Sequence, residues 1–348
     1  MTSMLVIDRE VIRYNAVRLA ESGESTQLIP LLNRSVPEVI LEAVFDAGIQ
    51  TIAGQTFQDA VLLQQRGFRR LIVLQPPTRL SPVVAASFGT DTATHWLCSI
   101  HHFVHAELLA DLACRMTREI GCLLEIDIGG PTGGVRPGHD ACRLALAVKC
   151  LSGVRPAGFL LRPLESAELD SVPAHCPPET LSWQNALSAV RYTQKMLQRD
   201  LVDAMELPVY WVSTAENRES LKQFVATADA GTLICGQELF ASQQPEDRRT
   251  ASDALVRQFE AIRLKSTVIS RPALDRAVVA SGFVPTRAQM EQSAVIRPDG
   301  ALIASFDHQT IAVQLSGDSL DLVIGAPIWL NLTDWLPAFS QISEVIVV

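Results

Sequence analysis

Lysine is nearly missing from this chain: its 348 residues contain only Lys149, Lys195, Lys222 and Lys265. All four fall in patterns typical of helices, and we expect them on the outer ring of the fold. No long block of Lys and Arg residues occurs, and the formal net charge is −9. Proteins that bind nucleic acid need a concentrated basic surface, so this balance argues against a nucleic-acid partner.

A long apolar run is also lacking. The longest one, Leu322–Leu330, is interrupted by Gly325 and Pro327 and is far shorter than the roughly 20 residues of a membrane-spanning helix. The charged residues Asp8–Glu10 stand where a signal peptide would be apolar. These features argue against a membrane span and predict a cytoplasmic protein.

Cysteine pairs with metal-ligand spacing are absent as well. No two of the seven cysteines form a Cys-x-x-Cys motif, which argues against a structural zinc site and favours reduced, buried thiols. Walker, dinucleotide-binding and Gly-x-Ser-x-Gly motifs do not occur either. The chain is nevertheless 48% hydrophobic and 19% charged, which is typical of a globular protein with a substantial core.

The sequence does contain a regular alternation of short apolar runs and helical patterns. The predicted strands are Leu28–Leu32, Gln50–Ala53, Leu71–Gln75, Thr94–Cys98, Cys122–Ile128, Ala157–Leu161, Val209–Ser213 and Thr232–Gly236. Strands that form continuous apolar runs between helices are buried on both faces and pair in parallel. Eight such units predict an α/β fold with a (β/α)8 TIM barrel over residues 11–264.

The pattern changes after a polar segment at 241–253. A predicted helix runs to Leu264, and short β-like runs with turn signals then predict a separate β-rich domain over residues 265–348. These runs are Thr267–Ile269, Ala277–Val279, Ala301–Ile303, Ile311–Val313 and Leu320–Val323. The chain length suits a barrel of about 250 residues plus a small domain.

Several short motifs resemble those of a known family. They are Pro37–Ala47, Ala47–Ile49, Leu71–Leu74, Glu125–Gly129 and Gly134–Gly138. Together with the order of elements, they make the chain similar to the D-threonine aldolase and D-serine dehydratase branch of the alanine racemase-like (fold-type III) enzymes. That resemblance implies a TIM barrel with a β-rich C-terminal domain, an N-terminal strand within residues 1–10 that joins this domain, a dimer, and pyridoxal phosphate (PLP) held by a lysine.

The PLP lysine of this family follows the first barrel strand, a few residues before a Pro-Glu pair. Here the run is Pro30-Leu31-Leu32-Asn33-Arg34-Ser35-Val36-Pro37-Glu38. Counting from the first proline places Asn33 at the lysine position, and counting back from the Pro-Glu pair places Leu32 there. Neither side chain has an amine, so the resemblance implies that no Schiff base forms at this position.

Three further cofactor positions of the family are altered. Thr132 stands where an arginine faces the cofactor, and Arg162 and Pro163 stand where a tyrosine and a histidine lie near the pyridine ring. The phosphate turn is Ser213-Thr214-Ala215-Glu216, in which Ser213 and Thr214 could donate hydrogen bonds but Glu216 adds a repelling charge. We expect no covalently bound cofactor and at most weak, non-covalent PLP binding.

The metal ligands of these aldolases and dehydratases are missing too. Aligned on Asn331-Leu332, the family's His-x-Cys pair corresponds to Gly325 and Pro327, which have no ligand side chain. The preceding Asp307-His308 resembles the Glu-His of the family, so His308 is interpreted as a remnant. We therefore predict no metal at this position.

Other site hypotheses follow from the residues themselves. The charged residues in or just after predicted strands five and six are Asp127, Arg136, His139, Arg162 and Glu165. They could converge on a small anionic ligand through arginine pairing. The alternative is that Arg136 and His139 are solvated and Asp127 bonds to nearby backbone.

A histidine cluster offers a second site hypothesis. The four histidines are His95, His101, His102 and His105, and two of them, His101 and His105, are one helical turn apart. That spacing suits a metal site. Against it, the sequence offers no obvious third ligand except Glu107 or Cys98, and surface histidines at the start of a helix are common.

Two functions remain open. One is a degenerate, non-catalytic relative of PLP-dependent D-amino-acid aldolases and dehydratases, acting as a structural or regulatory subunit in a homodimer or beside an active relative. The aromatic residues around Trp329–Trp335 and Phe339 are the interface candidates, with burial in the core as the alternative. The other function is an amino-acid lyase, aldolase or racemase-like enzyme whose altered barrel mouth works without the lysine.

Overall fold

The computed structural model of the chain describes residues 3–21, 27–79, 93–129, 133–163, 183–214, 217–236, 239–240, 261–284, 293–307, 309–332 and 335–348. The chain forms two compact units, one of residues 1–20, 35–49 and 237–348 and the other of residues 21–34 and 50–236. The domain boundaries after residues 10 and 264 stay predictions. No helix in the described part of the chain is long and apolar enough to cross a membrane.

The unit that contains residues 50–236 is built around a closed barrel of parallel strands. The strands are β2 (Leu28–Leu32), β3 (Thr51–Gly54), β4 (Arg70–Val73), β5 (His95–Ile100), β6 (Ile120–Glu125), β7 (Val154–Leu161), β8 (Val209–Val212) and β9 (Thr232–Cys235). Each pairs in parallel with the next, and β2 pairs with β9 to close the barrel. The prediction of a TIM barrel with strands at these eight places is confirmed.

The barrel interior is an apolar cluster. Its buried members are Ile29, Ala53, Ile72, Leu74, Leu123, Ala157, Leu160, Val212 and Ile234, and Leu31, Leu97 and Tyr210 pack against them. Successive residues of a strand point to opposite faces, so every second residue faces this interior while its neighbours face the helices. Because both faces are buried, these strands appear in the sequence as unbroken apolar runs.

The helices of the described residues are α1 (Arg9–Glu21), α2 (Glu38–Asp46), α3 (Phe57–Gln65), α4 (Phe103–Met116), α5 (His139–Lys149), α6 (Trp183–Leu197), α7 (Arg218–Ala228) and α8 (Leu336–Phe339). Helix α3 starts at a capping box, in which the Thr56 side chain accepts from the Asp59 backbone N–H and the Asp59 side chain accepts from the Thr56 N–H. Such a box satisfies two backbone donors that a helix start leaves unpaired, which fixes the point where β3 turns into α3.

The other unit contains the β-rich C-terminal sheet. Its strands are β1 (Met4–Ile7), β10 (Ile262–Ala273), β11 (Arg276–Ala280), β12 (Ala294–Arg297), β13 (Ala301–Asp307), β14 (Thr310–Leu315), β15 (Pro327–Asn331) and β16 (Glu344–Val347). The order is β12-β15-β10-β11-β14-β13, with β1 beside β10 and β16 beside β1. The N-terminal strand thus joins this sheet, antiparallel to β10 and parallel to β16.

Two local predictions in this region are wrong. The predicted helix up to Leu264 overlaps β10, because Ile262 pairs with Ile7 of β1 and Leu264 with Leu330 of β15. Lys265 therefore lies on a strand, whereas the other three lysines lie on α5, α6 and α7 as expected.

The second error is the predicted strand Leu320–Val323, where the chain forms a 3₁₀ helix over Gly317–Asp321. The backbone N–H of Ser316 donates to the Ser319 hydroxyl at 2.9 Å at the start of this helix, and the Arg271 guanidinium donates to the carbonyls of Leu320 and Leu322. The carbonyls that a strand would use in a ladder are thus bound by a side chain.

Close backbone approach at Gly231, between α7 and β9, generates a stability prediction. Its φ is +113°, and a Cβ atom there would lie 2.2 Å from the Val209 carbonyl oxygen. Gly138 also has a positive φ, +84°, but its nearest atom to a Cβ would be 3.9 Å away. We expect Gly138→Ala to lower the free energy of unfolding by about 1 kcal/mol and Gly231→Ala to lower it by several times as much.

Urea unfolding of the two variants beside the wild type measures this difference. Equal losses in both variants would show that backbone conformation alone, and not the contact with β8, requires glycine at position 231.

Candidate functional site at the barrel mouth

The carboxyl ends of the barrel strands form the mouth where TIM-barrel enzymes place their active sites. At the end of β2 the chain has Asn33, which is half-buried, followed by the exposed Arg34. Arg34 donates to the Gln58 side chain (2.7 Å), and its backbone N–H donates to Asp59 (2.9 Å). Among the described residues, no lysine directly follows a barrel strand, and those of the barrel unit lie on helices.

A buried carboxylate lies at the centre of the mouth. Glu125 is the last residue of β6, and its side chain is only 4% exposed. The Ser99 hydroxyl on β5 donates to Glu125 Oε2 at 2.7 Å, and Arg162 Nε donates to Oε1 at 2.9 Å. A charge this deeply buried is stable only when it is paired and hydrogen-bonded, and both conditions hold here.

Arg162 follows β7 and crosses the mouth. While Nε bonds to Glu125, the Nη2 atom donates to the carbonyl oxygen of Leu74, which follows β4. Two strands, β5 and β6, separate β4 from β7 in the barrel wall. The Arg162 side chain therefore reaches across the mouth from the end of β7 to the end of β4. The guanidinium therefore fills interior space at the level of Glu125.

Histidines lie beside this pair. His101 directly follows β5; its Nδ1 lies 3.9 Å from Glu125 Oε2, and this buried atom has no hydrogen-bond partner among the described residues. The ring centroids of His101 and His105 are 4.6 Å apart. Burial, and then the neighbouring His101 and His102, lower the pKa of His105 to about 4. A neutral imidazole can accept a proton or a hydrogen bond, which gives this side of the mouth some acid–base capacity.

The four histidines do not form one cluster. His95 is exposed at the first position of β5, at the opposite end of the strand from His101. His102 caps α4, because its Nδ1 accepts from the Val104 backbone N–H at 3.2 Å. No group of three His, Cys, Asp or Glu residues with metal-binding geometry occurs among the described residues.

A cleft of about 510 Å³ opens beside the histidines, between the start of α4 and α5. Its lining residues are His101, His102, Phe103, Val135, Asp140, Arg143, Leu144 and Ala147. An apolar floor with a few charged groups is the usual form of a small-molecule site.

The remaining candidates for an anionic ligand are dispersed. Asp127 accepts the Gly129 backbone N–H at 2.9 Å, and its own N–H donates to Val135, so it closes a local turn. Arg136 and His139 are exposed at the start of α5. Thr132 and Glu165 lie outside the described residues. Of those members of the predicted set that the structure describes, Arg162 alone is in the buried network of the mouth.

The phosphate turn after β8 uses its donors internally. The backbone N–H of Ser213 and its hydroxyl both donate to the Ile234 carbonyl, at 2.9 and 3.2 Å. The N–H of Thr214 donates to Asn217 Oδ1 at 3.0 Å, and Thr214 Oγ1 accepts from the Asn217 N–H. Glu216 lies outside the described residues. No lysine follows a barrel strand among the described residues, Asn33 stands at the position that the motif resemblance assigns to the lysine, and Arg162 crosses the mouth, so the described residues do not fit covalently held PLP.

The positions of the family's metal pair lie on the C-terminal sheet. Gly325 is in an exposed turn and donates its N–H to the Val268 carbonyl at 2.8 Å, and Pro327 is the exposed first residue of β15. His308 lies outside the described residues. The turn and strand therefore present backbone and a proline ring, which are not ligands for a transition metal.

The aromatic interface candidates divide into two kinds. Trp335 and Phe339 are 1% and 7% exposed, and the Phe339 ring packs edge-on against Phe240 at 5.5 Å. Trp329 is partly exposed on β15. The alternative of core burial is therefore observed for Trp335 and Phe339.

Buried thiols show no sign of reactivity. Cys98 and Cys122 are paired neighbours on β5 and β6, and Cys235 ends β9. Burial raises the pKa of Cys122 to about 12 and raises that of Cys98 well above its usual range. A thiol nucleophile needs a lowered pKa, so burial disfavours this role for Cys98 and Cys122, and Cys235 is likewise buried.

Comparison with known proteins defines the class. Residues 7–195, more than half of the chain, match the family model for the N-terminal domain of alanine racemase. The chain therefore belongs to the alanine racemase-like family, and the resemblance drawn from its motifs is confirmed. No protein of curated function matches it by sequence.

Solved structures share the fold over the whole chain. D-threonine aldolase from Filomicrobium marinum has a TM-score of 0.75 at 17% identity, covering 100% of this chain and 91% of its own. D-threo-3-hydroxyaspartate dehydratase from Delftia sp. HT23 has a TM-score of 0.63 at 17% identity, with 100% and 94% covered. Alanine racemase from Corynebacterium glutamicum has 0.61 at 13% identity, with 94% and 90% covered.

Glu125 and Ser99 were not predicted as site residues from the sequence. Both are inward-facing residues of apolar strands, and a carboxylate within Leu123-Leu124-Glu125-Ile126 is the one available signal. A charged side chain inside a run buried on both faces needs a partner, which makes such a glutamate a site candidate.

Removing the carboxylate of Glu125 should strongly destabilise the protein. Glu125→Leu leaves the Arg162 charge unpaired, and we expect a loss of about 3 to 5 kcal/mol in the free energy of unfolding. The double variant Glu125→Leu, Arg162→Met should regain most of it, because neither charge then remains. The control is Glu119→Leu, whose partner Arg155 lies at 2.5 Å in a pair more than half exposed, with an expected change below about 1 kcal/mol.

Denaturant unfolding of the four proteins tests this network. A double variant that is no more stable than Glu125→Leu would show that the pair is not the interaction holding the mouth together.

Stability should also depend on pH through His105. Its folded pKa of about 4 lies below the ordinary value of 6.5, so the unfolded chain binds the proton more strongly between these values. The contribution of His105 is fully present above pH 6.5 and is lost as the pH falls towards 4. The stability of His105→Asn should therefore decline less than that of the wild type over this interval. Parallel pH slopes in urea titrations of the two proteins would contradict the assignment.

Proposed function

We propose that this chain is a non-catalytic member of the alanine racemase-like family that acts as a structural or regulatory subunit. The observation that carries the proposal is Arg162, which crosses the barrel mouth from Glu125 to the Leu74 carbonyl. The electron sink for amino-acid chemistry in this family belongs to the cofactor, and protein side chains alone are poor substitutes for it.

The residues at three positions that the resemblance assigns to the cofactor support the proposal. Asn33 offers no amine, the backbone N–H groups of Ser213 and Thr214 are bonded to Ile234 and to Asn217, and the guanidinium occupies the interior above the apolar cluster. Each change weakens PLP binding by a different route: loss of the covalent bond, loss of phosphate donors, and loss of space.

A restored lysine tests whether the missing amine is the whole cause. Asn33→Lys supplies an amine after β2 but leaves Arg162 in place, so we expect no PLP absorbance band and no mass increase after borohydride reduction. The wild type should give the same result. The matched protein Asn33→Lys, Glu125→Leu, Arg162→Met removes the obstruction and should take up more PLP than either.

The outcomes are distinct. A reduced PLP adduct on wild-type protein, mapped to one lysine, would overturn the non-catalytic proposal. If the single variant Asn33→Lys forms as much PLP adduct as the triple variant, the missing lysine is sufficient to explain why the wild type does not bind PLP covalently. Arg162 would then have no part in excluding PLP.

The subunit role predicts a partner, which is this chain itself or an active relative from the same genome. Light scattering of the purified chain measures self-association. Titration of the chain into an active D-amino-acid aldolase of that genome should change its turnover and give a mixed species on a sizing column. A monomeric chain that neither co-elutes with the relative nor changes its rate would contradict the role.

One observation favours a second function, an enzyme that works without the lysine. His101 and His102 line the cleft of about 510 Å³, so a ligand there would meet two imidazoles, and the Nδ1 atom of His101 lies 3.9 Å from the buried Glu125 carboxylate. Perturbed pKa values near a cleft are common in active sites. Exchange of α-protons into D₂O, followed by NMR on a panel of D- and L-amino acids, separates the two functions. Exchange that depends on His101, lost in His101→Gln, would support the enzyme.

A further inference from the structure

A second cleft, of about 390 Å³, lies on the C-terminal sheet, away from the barrel strands in sequence. Its apolar lining consists of Ile296, Pro298, Leu322, Pro327 and Trp329. Its charged lining residues are Arg297 and Asp299. The volume is within the range of small-molecule sites, and flat proline and tryptophan surfaces suit a flat apolar group.

Three cationic side chains lie beside Trp329, the tryptophan of this cleft. Trp329 on β15 pairs directly with Lys265 on one side and with Arg297 on the other. The Lys265 ammonium and the Arg263 guanidinium each lie 5.6 Å from the centre of the Trp329 ring. Residues paired across strands share a face, so the three positive charges and the ring lie on the same face of the sheet.

This concentration of positive charge contrasts with the chain as a whole, whose formal net charge is −9. The described lining residues have one cation, Arg297, and one carboxylate, Asp299, and the two cations over the Trp329 ring, Lys265 and Arg263, add positive charge beside the cleft. The Nε atom of Arg263 is buried without a hydrogen-bond partner among the described residues. A cluster with surplus positive charge and an unpaired donor attracts an anion.

The cleft wall is held in place. Leu322 follows the 3₁₀ helix, and its carbonyl accepts from Arg271, which also donates to the carbonyls of Leu320 and Leu274. The turn before Pro327 is fixed by hydrogen bonds from Gly325 to Val268 and from Val268 to Ala326. A wall that is already ordered loses less entropy when a ligand binds.

We propose that this cleft binds a small organic carboxylate with a flat apolar body. The body lies against Trp329 and the two prolines, and the carboxylate pairs with Arg297 beside the charges of Lys265 and Arg263. No covalent step is involved, and the site does not depend on the state of the barrel mouth.

The test uses the full-length protein labelled with ¹⁵N-tryptophan, whose five tryptophans give five indole N–H signals. The signal of Trp329 is identified by its absence in Trp329→Phe. Benzoate is the probe; benzyl alcohol carries a similar ring without charge, and acetate carries the charge without the ring. We expect benzoate to shift the Trp329 signal saturably, with both partial probes binding more weakly.

Variants locate the anion contact. Arg297→Gln should weaken benzoate binding about tenfold, the effect of losing one charge-assisted hydrogen bond. Arg276→Gln, on the exposed first residue of β11 in the same sheet, is the matched control and should leave binding unchanged. If Arg297→Gln fails to fold, Lys265→Gln replaces it with the same expected direction.

Several results would overturn the proposal. They are the absence of a saturable benzoate shift at Trp329, benzyl alcohol or acetate binding as tightly as benzoate, a shift confined to another indole signal, and an equal loss in the arginine control.

Discussion

The pairing of Glu125 with Arg162 is the interaction on which the barrel mouth depends. A carboxylate at the inner end of a strand buried on both faces would be unstable alone, because removing a charge from water costs several kcal/mol. Arg162 supplies the opposite charge, and Ser99 supplies a further hydrogen bond. The same arginine bonds to the backbone after β4, so strands β4 to β7 are connected across the mouth as well as along the wall. At the mouth, where TIM-barrel enzymes place their active sites, this chain has an internal ion pair.

The residues that the motif resemblance assigns to a metal lie away from the mouth in sequence. Gly325 and Pro327, assigned to the metal pair by motif register, lie in a turn and at the start of β15. Pro327 is also part of the wall of the cleft around Trp329, and the cationic side chains of Arg263 and Lys265 lie over the Trp329 ring. The chain thus has the scaffold of the family, with an ion pair at the barrel mouth and organic cations beside this cleft.

The barrel was predictable because its strands are short, continuous and apolar, and burial on both faces leaves that pattern in the sequence. The start of β10 was not predictable from the sequence. It is a strand because it pairs with β1, more than 250 residues earlier in the chain, and the local sequence pattern does not indicate such a distant partner. The candidate site also contains one residue that the sequence predicts and one that it does not. Arg162 was named from its place after a strand, but its partner Glu125, 37 residues away, was recognised only in the structure. Asn33 was assigned to the lysine position from the motif register alone, which needs only the sequence.

Strands β1 and β16 are neighbours, since they pair in parallel and the backbone N–H of Val348 donates to the carbonyl of Ile7. During synthesis on the ribosome, β1 is made before the barrel strands, whereas both of its partners, β10 and β16, follow Cys235 at the end of β9. The barrel strands are therefore complete before β1 can pair in the sheet. Until β10 and β16 have been made, the apolar segment Met4–Ile7 has no strand beside it.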